Sequence, residues 1–265
     1  MNGNGYISHE RDELNNETVK RALGELSDKI TVQVMPVCDS TNLEARRRVL
    51  SGADAVTLIL AEEQTAGRGR LGRQFHSPKG AGLYLSLLFP LVGSLPSAVS
   101  LTCASSVAVM RAIRSTVGLQ TEIKWVNDLL LNGKKVCGIL AEAITVGDRT
   151  QIVIGVGINL RPTEFPPALR EIAGSLGDET VTRSALAAEV ARELMRVVQD
   201  PADRFWLEEY RSYSAVVGKP IRWIEDGTER FGVADGIEEN GALRVTAEDG
   251  TSVLLQTGEI SVRTL

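Results

Sequence analysis

Histidine is almost missing from this sequence: 265 residues contain two, His9 and His76. A Ser-His-Asp triad would have to be built on His76, and a multi-histidine metal site has no ligands to draw on. Cysteine is also sparse. Cys38, Cys103 and Cys137 are odd in number and show no C-x-x-C spacing, which argues against a disulfide framework or a zinc site and fits free thiols in a reducing compartment. A long apolar run is missing too. Residues 80–110 carry no charged side chain, but Pro90, Gly93, Ser94 and Pro96 divide them into a strand-sized piece, Gly82–Phe89, and a helix-sized piece, Ser97–Thr116. Neither supplies the ~18 continuous apolar residues of a membrane span. The N-terminal MNGNGYISHERDELNNE, a polar stretch read as mobile, has no apolar core of a secretory signal, so the chain reads as cytoplasmic. There is no excess of positive charge: 29 basic residues against 34 acidic give a net charge of −5, which argues against a general nucleic-acid binder.

What is present is ordinary globular material, 43% hydrophobic and 24% charged, sufficient for a sizeable core and one large or two modest domains. A short amphipathic helix is expected around Glu17–Leu26, a strand over Ile30–Val37, and a helix from Thr41 to Leu50 with Ser40 as its N-cap. Ala55–Glu62 and Gly82–Phe89 read as buried strands on either side of a glycine- and arginine-rich loop. The apolar strand Gly82–Phe89 is also a candidate for edge-to-edge pairing with a second copy, so both monomer and homodimer stay open. Three runs of strand character follow, Glu122–Leu131, Lys135–Thr145 and Gln151–Asn159, joined by tight turns at Asn132-Gly133 and Gly147-Asp148. Helices are expected over Thr182–Val198 and Pro201–Ser214. From Gly218 onward, short alternating strands with turns at Asp226-Gly227, Glu239–Gly241 and Asp249-Gly250 suggest a small β-barrel. The fold class is α+β: an N-terminal extension over 1–35, a mixed-sheet body over 36–214 and a β module over 215–265.

The sharpest local feature is Gly67-Arg68-Gly69-Arg70-Leu71-Gly72-Arg73-Gln74-Phe75. Its glycines match G-x-G-x-x-G, but a dinucleotide fingerprint must open a helix, and here a Pro/Gly/Ser-rich stretch and a strand follow. The H-R-D and D-F-G elements of a protein kinase are absent. Two readings remain. One is a solvated basic loop, or an arginine–glycine segment gripping RNA. The other is an anion clamp, in which glycines admit close backbone approach and guanidinium forks hold carboxylate or phosphate oxygens. Such a loop, flexible and self-repelling, is expected to be mobile until anions order it.

Further motifs lie downstream: Lys124-Trp125-Val126-Asn127-Asp128, then Lys134-Lys135-Val136-Cys137-Gly138-Ile139-Leu140-Ala141-Glu142, then Gly155-Val156-Gly157-Ile158-Asn159-Leu160. With Ser40-Thr41-Asn42 and Gln64 upstream, and Gly258-Glu259-Ile260-Ser261-Val262-Arg263 at the end, their order resembles that of the biotin–protein ligases, also called biotin–[acetyl-CoA-carboxylase] ligases or holocarboxylase synthetases. The likeness runs from about Val37 to the C-terminus.

That resemblance implies a class II synthetase-like catalytic domain of the biotin–lipoate ligase type with an SH3-like C-terminal barrel. It implies an enzyme that makes biotinyl-5′-AMP from biotin and ATP, with Mg²⁺ accompanying the nucleotide. The biotinyl group then passes to one lysine of the biotin carboxyl carrier domain of acetyl-CoA carboxylase or a related enzyme. Ser40, Thr41, Asn42 and Gln64 match positions that recognise the ureido head of biotin. Arg68, Gly69 and Arg70 match the biotin- and adenylate-binding loop, and Gly138 a position where backbone lies against the biotin ring. Arg70 and Lys135 are implied as the two catalytic cations, each contacting both biotin and ATP. Arg73, Phe75, Asn127 and Asn159 match nucleotide-side positions, with Phe75 packing on adenine and Asn159 reading it. Asp128 either orients or deprotonates the acceptor lysine, or accepts a bond from a backbone N–H or Lys124. His76 is read as a bystander.

Two departures stand out. Val126 replaces a proline of the family's usual Lys-Trp-Pro-Asn-Asp, and Phe75 replaces a tryptophan, keeping a stacking face but losing an indole N–H. The 35 or so residues before the body are too few for the winged helix-turn-helix of family members that repress biotin operons, so no repressor function and no DNA partner is expected. The rivals are a lipoate or octanoate ligase, an RNA-binding module, and a catalytically silent homologue that only binds biotin. The C-terminal module is expected to help dock the carrier domain or close over ATP.

Overall fold

The computed structural model describes residues 12–92, 97–199, 203–225, 227–256 and 263–264. His9, the breakers Gly93, Ser94 and Pro96, Pro201, Asp226 and residues 258–262 of the closing motif lie outside them. The body is a seven-stranded sheet ordered β1-β2-β3-β7-β6-β5-β4. Its strands are β1 (Thr31–Met35), β2 (Thr57–Ala61), β3 (Gly82–Pro90), β4 (Glu122–Lys124), β5 (Asp128–Leu131), β6 (Lys134–Val146) and β7 (Arg149–Asn159). Only β1 and β2 run parallel; every other neighbouring pair is antiparallel, so the sheet is mixed.

The helices separate onto its two faces, as the period-2 alternation of the strands requires. On one side lie α3 (Ala98–Val117) and α4 (Arg183–Gln199), covering Leu58, Leu60, Leu85, Leu87, Ile154 and Val156. On the other lies α2 (Thr41–Leu50), whose Ala45 and Val49 pack on Ile59, Leu88, Ile144 and Val153. Because side chains alternate, Ser86, Gly138, Glu142, Gly155 and Gly157 belong to the α2 face, beside the first turn of that helix.

Three sequence expectations are corrected. Glu122–Leu131 is two strands, β4 and β5, forming a hairpin turned by Trp125-Val126-Asn127; the apolar run conceals the turn because Trp125 and Val126 are themselves buried. Gly82–Phe89 has no open edge, since β3 is paired on both sides, to β2 and β7; a strand that apolar on both faces belongs in a sheet interior. The last helix of the body is short, α5 (Leu207–Ser212), rather than spanning Pro201–Ser214. The turns at Asn132-Gly133 and Gly147-Asp148 form as expected, with the left-handed backbone that two-residue hairpins demand at Asn132 (φ 52°), Gly133 (φ 76°) and Gly147 (φ 62°).

Helix α1 (Asn16–Leu23) is closed by a capping box between Asn15 and Thr18, and its Val19 and Leu23 enter the main core with Leu14. Just before it, Asp12 accepts from Arg161 at 2.8 Å and Arg183 at 2.9 Å, and Arg183 also pairs with Glu62 at 2.6 Å. Residues 12–35 are thus built into the body and include β1.

The C-terminal residues form a five-stranded antiparallel sheet ordered β11-β10-β9-β8-β12, from β8 (Pro220–Glu225), β9 (Thr228–Ile237), β10 (Leu243–Ala247), β11 (Ser252–Leu255) and β12 (Arg263–Thr264). Its Ile221, Trp223, Ile237, Leu243 and Val245 belong to the same apolar cluster as α3 and α4. The Trp125 indole donates to Gly241 O at 2.9 Å, pinning the β4–β5 hairpin to this module.

Candidate active site

The N-terminal turn of α2 starts the site. Ser40 is the N-cap residue in extended conformation, yet its side chain makes no capping bond; Ser40, Thr41 and Asn42 are all buried. Buried polar groups require partners, and those of Thr41 and Asn42 come from Gln64 and from the strands beneath. Gln64 Oε1 accepts from Thr41 N at 2.9 Å and from its hydroxyl at 3.2 Å, while Gln64 Nε2 donates to Ser77 Oγ at 2.9 Å. Ser86, the one polar residue in the otherwise apolar β3, places its hydroxyl 2.8 Å from Thr41 Oγ1 and 2.6 Å from Asn42 Oδ1. Asn42 Nδ2 donates to Glu142 at 2.8 Å. Of the four residues expected to recognise a ureido ring, Thr41, Asn42 and Gln64 are therefore gathered into one network, with Ser77, Ser86 and Glu142 as members the sequence reading missed, while Ser40 is buried beside it at the head of α2. The lone polar residue in Leu83–Phe89 was the available signal for Ser86.

Glycines clear the floor. A Cβ on Gly155 would lie 2.0 Å from Asn42 Oδ1, and one on Gly157 would lie 2.6 Å from the Phe75 ring. Gly138 is paired with Gly157 across β6 and β7, so two side chains are missing opposite each other and the Phe75 ring occupies that space. It also meets Tyr84 edge-on, centroids 6.4 Å apart. Phe75 thus lies on the sheet floor, over the glycine expected to face biotin.

The arginine loop carries hydrogen bonds of its own and to the sheet. Its backbone closes through Phe75 N to Gly67 O at 2.8 Å and Gly69 N to Arg73 O at 2.7 Å, with Leu71 (φ 57°) and Gly72 (φ 72°) making the left-handed tip. Arg68 is anchored to Glu142 at 3.1 Å and Arg70 to Asn127 Oδ1 at 3.2 Å. The expected self-repulsion is offset by such acceptors. Burial pushes the Arg70 guanidinium below its ordinary pKa, with Asp128 acting in the opposite sense; an arginine stays charged regardless.

Asn127 and Asp128 are adjacent, and between them they hold both expected cations. While Asn127 accepts from Arg70 and donates to Ile139 O at 2.9 Å, Asp128 meets the Lys135 ammonium at 2.6 Å. Lys135 is thus one partner of Asp128. Asn159 lies at the end of β7, donating to Gly174 O at 2.9 Å. Arg73 is exposed at the loop tip, and His76 rests edge-on against Phe165. A cavity of about 300 Å³ is bounded by Arg68–Gly72, Ala98, Thr102 and Leu140–Glu142. The three cysteines are free and buried. Among the described residues no group of three His, Cys, Asp or Glu is arranged to hold a metal, and no helix is long and apolar enough to cross a membrane.

The geometry is that of a polar recognition nest joined to a two-cation centre, suited to bringing a carboxylate and a phosphate together. Residues 34–159 match the Biotin/lipoate A/B protein ligase family. The chain is 34% identical to the bifunctional ligase/repressor BirA of Escherichia coli (strain K12), across 98% of this chain and 82% of that protein. It is 32% identical to the biotin–[acetyl-CoA-carboxylase] ligase of Mycobacterium tuberculosis, across 86% of this chain and 88% of that protein. In fold it is similar to the biotin protein ligase from Aquifex aeolicus solved in complex with biotin and ATP, with a TM-score of 0.73 at 24% identity, covering 89% of this chain and 99% of that one.

Proposed function

The chain belongs to the biotin/lipoate protein ligase family, among its biotin protein ligases, and from that premise we propose that it activates biotin with ATP and transfers it to a carrier-domain lysine. In the first step a biotin carboxylate oxygen attacks the ATP α-phosphorus and pyrophosphate leaves, giving biotinyl-5′-AMP. In the second, the ε-amine of the acceptor lysine attacks the acyl carbon, an amide forms and AMP departs. The obstacle in the first step is the meeting of two anions, so catalysis is positioning plus electrostatic stabilisation.

Arg70 and Lys135 supply the positive charge, converging on Asn127 and Asp128; that convergence is the observation that carries the proposal. Thr41, Asn42 and Gln64 take the ureido ring, whose donors and acceptors their amide and hydroxyl groups complement. Arg68 and Gly69 lie along the acid chain, Gly138 lies beneath the ring once Phe75 moves aside, and Phe75, Arg73 and Asn159 serve the nucleotide. Asp128, released from Lys135 when the phosphate takes that cation, is placed to receive the acceptor amine. Mg²⁺ enters with the ATP phosphates. The acceptor is the biotin carboxyl carrier domain of acetyl-CoA carboxylase or a related carboxylase, and the setting is cytoplasmic. Among the described residues, those before β1 make a single α-helix, packed on α4, and repression is no part of this reading.

The experiment is mass spectrometry of a carrier domain incubated with the protein, biotin and MgATP. The carrier gains one biotinyl group on one lysine, and none when that lysine is replaced by arginine. Labelling of many lysines at equal rates would mean that free adenylate escapes, and would remove the transfer step from the proposal.

A further inference from the structure

A hydrogen-bonded circuit that starts and ends on the arginine loop passes through a residue to which the ligase reading gives no role. From the loop's end, Phe75 O accepts from Ser77 Oγ at 3.0 Å, and Ser77 accepts from Gln64 at 2.9 Å. The path continues through Thr41 and Ser86 to Asn42. Asn42 Nδ2 then meets Glu142 Oε2 at 2.8 Å, and Glu142 Oε1 returns to the loop at Arg68 Nη1, 3.1 Å away. Glu142 projects from β6 on the α2 face and helps bound the 300 Å³ cavity.

We propose that Glu142 is a positioning residue that couples biotin recognition at Asn42 to the placement of the loop at Arg68; this rests on the ligase reading given above. A carboxylate only accepts hydrogen bonds. It therefore holds the Asn42 amide with Nδ2 toward β6, where the Leu140 carbonyl also accepts from it at 3.3 Å, and with Oδ1 toward Ser86, leaving one lone pair of Oδ1 for a ring ligand. Gly155 makes that orientation tight, since no side chain fits above it. The same carboxylate supplies the counter-charge that keeps Arg68 on the cavity rim. With side-chain exposures of 40% for Arg68 and 25% for Glu142, the pair adds little to global stability, so its consequence is orientation.

Two variants separate the two tasks. Glu142→Ala removes both the charge for Arg68 and the shorter of the two bonds of Asn42 Nδ2, leaving it the Leu140 carbonyl at 3.3 Å. Glu142→Gln keeps a carbonyl acceptor but loses the charge. The first readout is the rate of tryptic cleavage after Arg68 in ligand-free protein, with the fold checked by circular dichroism. The second is the biotin KM and kcat in pyrophosphate exchange. Both variants are expected to be cut at least threefold faster than wild type. Glu142→Ala is expected to raise the biotin KM about tenfold with kcat within about threefold, and Glu142→Gln to hold KM within about threefold, the scale of one hydrogen bond to a charged group.

Unchanged cleavage in both variants, or equal KM shifts in both, overturns the proposal. If the alanine variant does not fold, wild-type cleavage of Glu142→Gln alone overturns it. Absence of biotin-dependent exchange in the wild type would instead remove the ligase reading, and the cleavage rates would still decide the tether.

Discussion

The Lys135 ammonium lies 2.6 Å from the Asp128 carboxylate, across β5 and β6. Each is the other's counter-charge on the rim of the site, and a phosphate arriving there must compete with Asp128 for Lys135. Lys135→Ala removes a cation from the point where negative charge accumulates, and kcat for biotin-dependent pyrophosphate exchange is expected to fall by about 10²–10³. Lys135→Arg keeps the charge but not the reach and is expected to fall between alanine and wild type. Steady-state exchange kinetics check both.

Asn127 does for Arg70 what Asp128 does for Lys135, through a neutral acceptor at 3.2 Å. Asn127→Ala leaves Arg70 in place but unaligned and also leaves Ile139 O without its side-chain donor. A rise of about fivefold to tenfold in the ATP KM is expected, the scale of one hydrogen bond. Titration of exchange against ATP at saturating biotin measures it.

The glycine floor gives a steric test. Gly155→Ala sets a methyl group where Asn42 Oδ1 already is, 2.0 Å from the ideal Cβ position. Overpacking of this kind costs about 1–3 kcal/mol, visible in urea denaturation. The biotin KM is expected to rise with it, because Asn42 must move.

Beside the recognition turn, Asp39 accepts from Arg47 at 2.8 Å and from Ser40 N at 2.7 Å. These bonds, the Arg47 side chain foremost, lower its pKa from 3.8 to about 2. The sign follows from linkage: a carboxyl group with a depressed folded pKa contributes stability above its unfolded value, lost as pH falls through the folded one. Asp39→Asn is expected to lose part of the acid-side decline in stability between pH 3.8 and about 2, read from melting temperatures across that range.

The fold and the ligand-facing residues were legible in the sequence to different degrees. Turn chemistry at Asn132-Gly133 and Gly147-Asp148, and the polar break at Ser40 before an amphipathic run, are local signals, and the structure has those elements where they point. The β4–β5 turn was hidden because its residues, Trp125 and Val126, are as apolar as the strands around them and are buried by α3 and the C-terminal module. Phe75 was placed by its motif position, whereas its ring is set by two glycines, Gly138 and Gly157, whose pairing is a matter of strand register. Glu142 closed a quoted motif without a role, because its partners lie 74 and 100 residues away in the chain. Contacts at that separation leave no periodicity to read.

The contact between Trp125 and Gly241 joins the site hairpin to the C-terminal sheet. Trp125→Phe leaves a buried carbonyl short of a donor, and a loss of about 1–3 kcal/mol is expected. Because Trp223 and Val245 share one core with α3 and α4, denaturation is expected to remain a single transition; two separate transitions would contradict that continuity.

The central claim is that Arg70 and Lys135 serve to join biotin to AMP. Biotin-dependent exchange of pyrophosphate into ATP, measured on the purified protein with Mg²⁺ and with lipoate and octanoate in parallel, tests it most directly. The account predicts exchange with biotin, none with the other two acids, and its loss in Arg70→Ala and Lys135→Ala. Exchange with lipoate or octanoate in place of biotin, or no exchange with any acid, would contradict it.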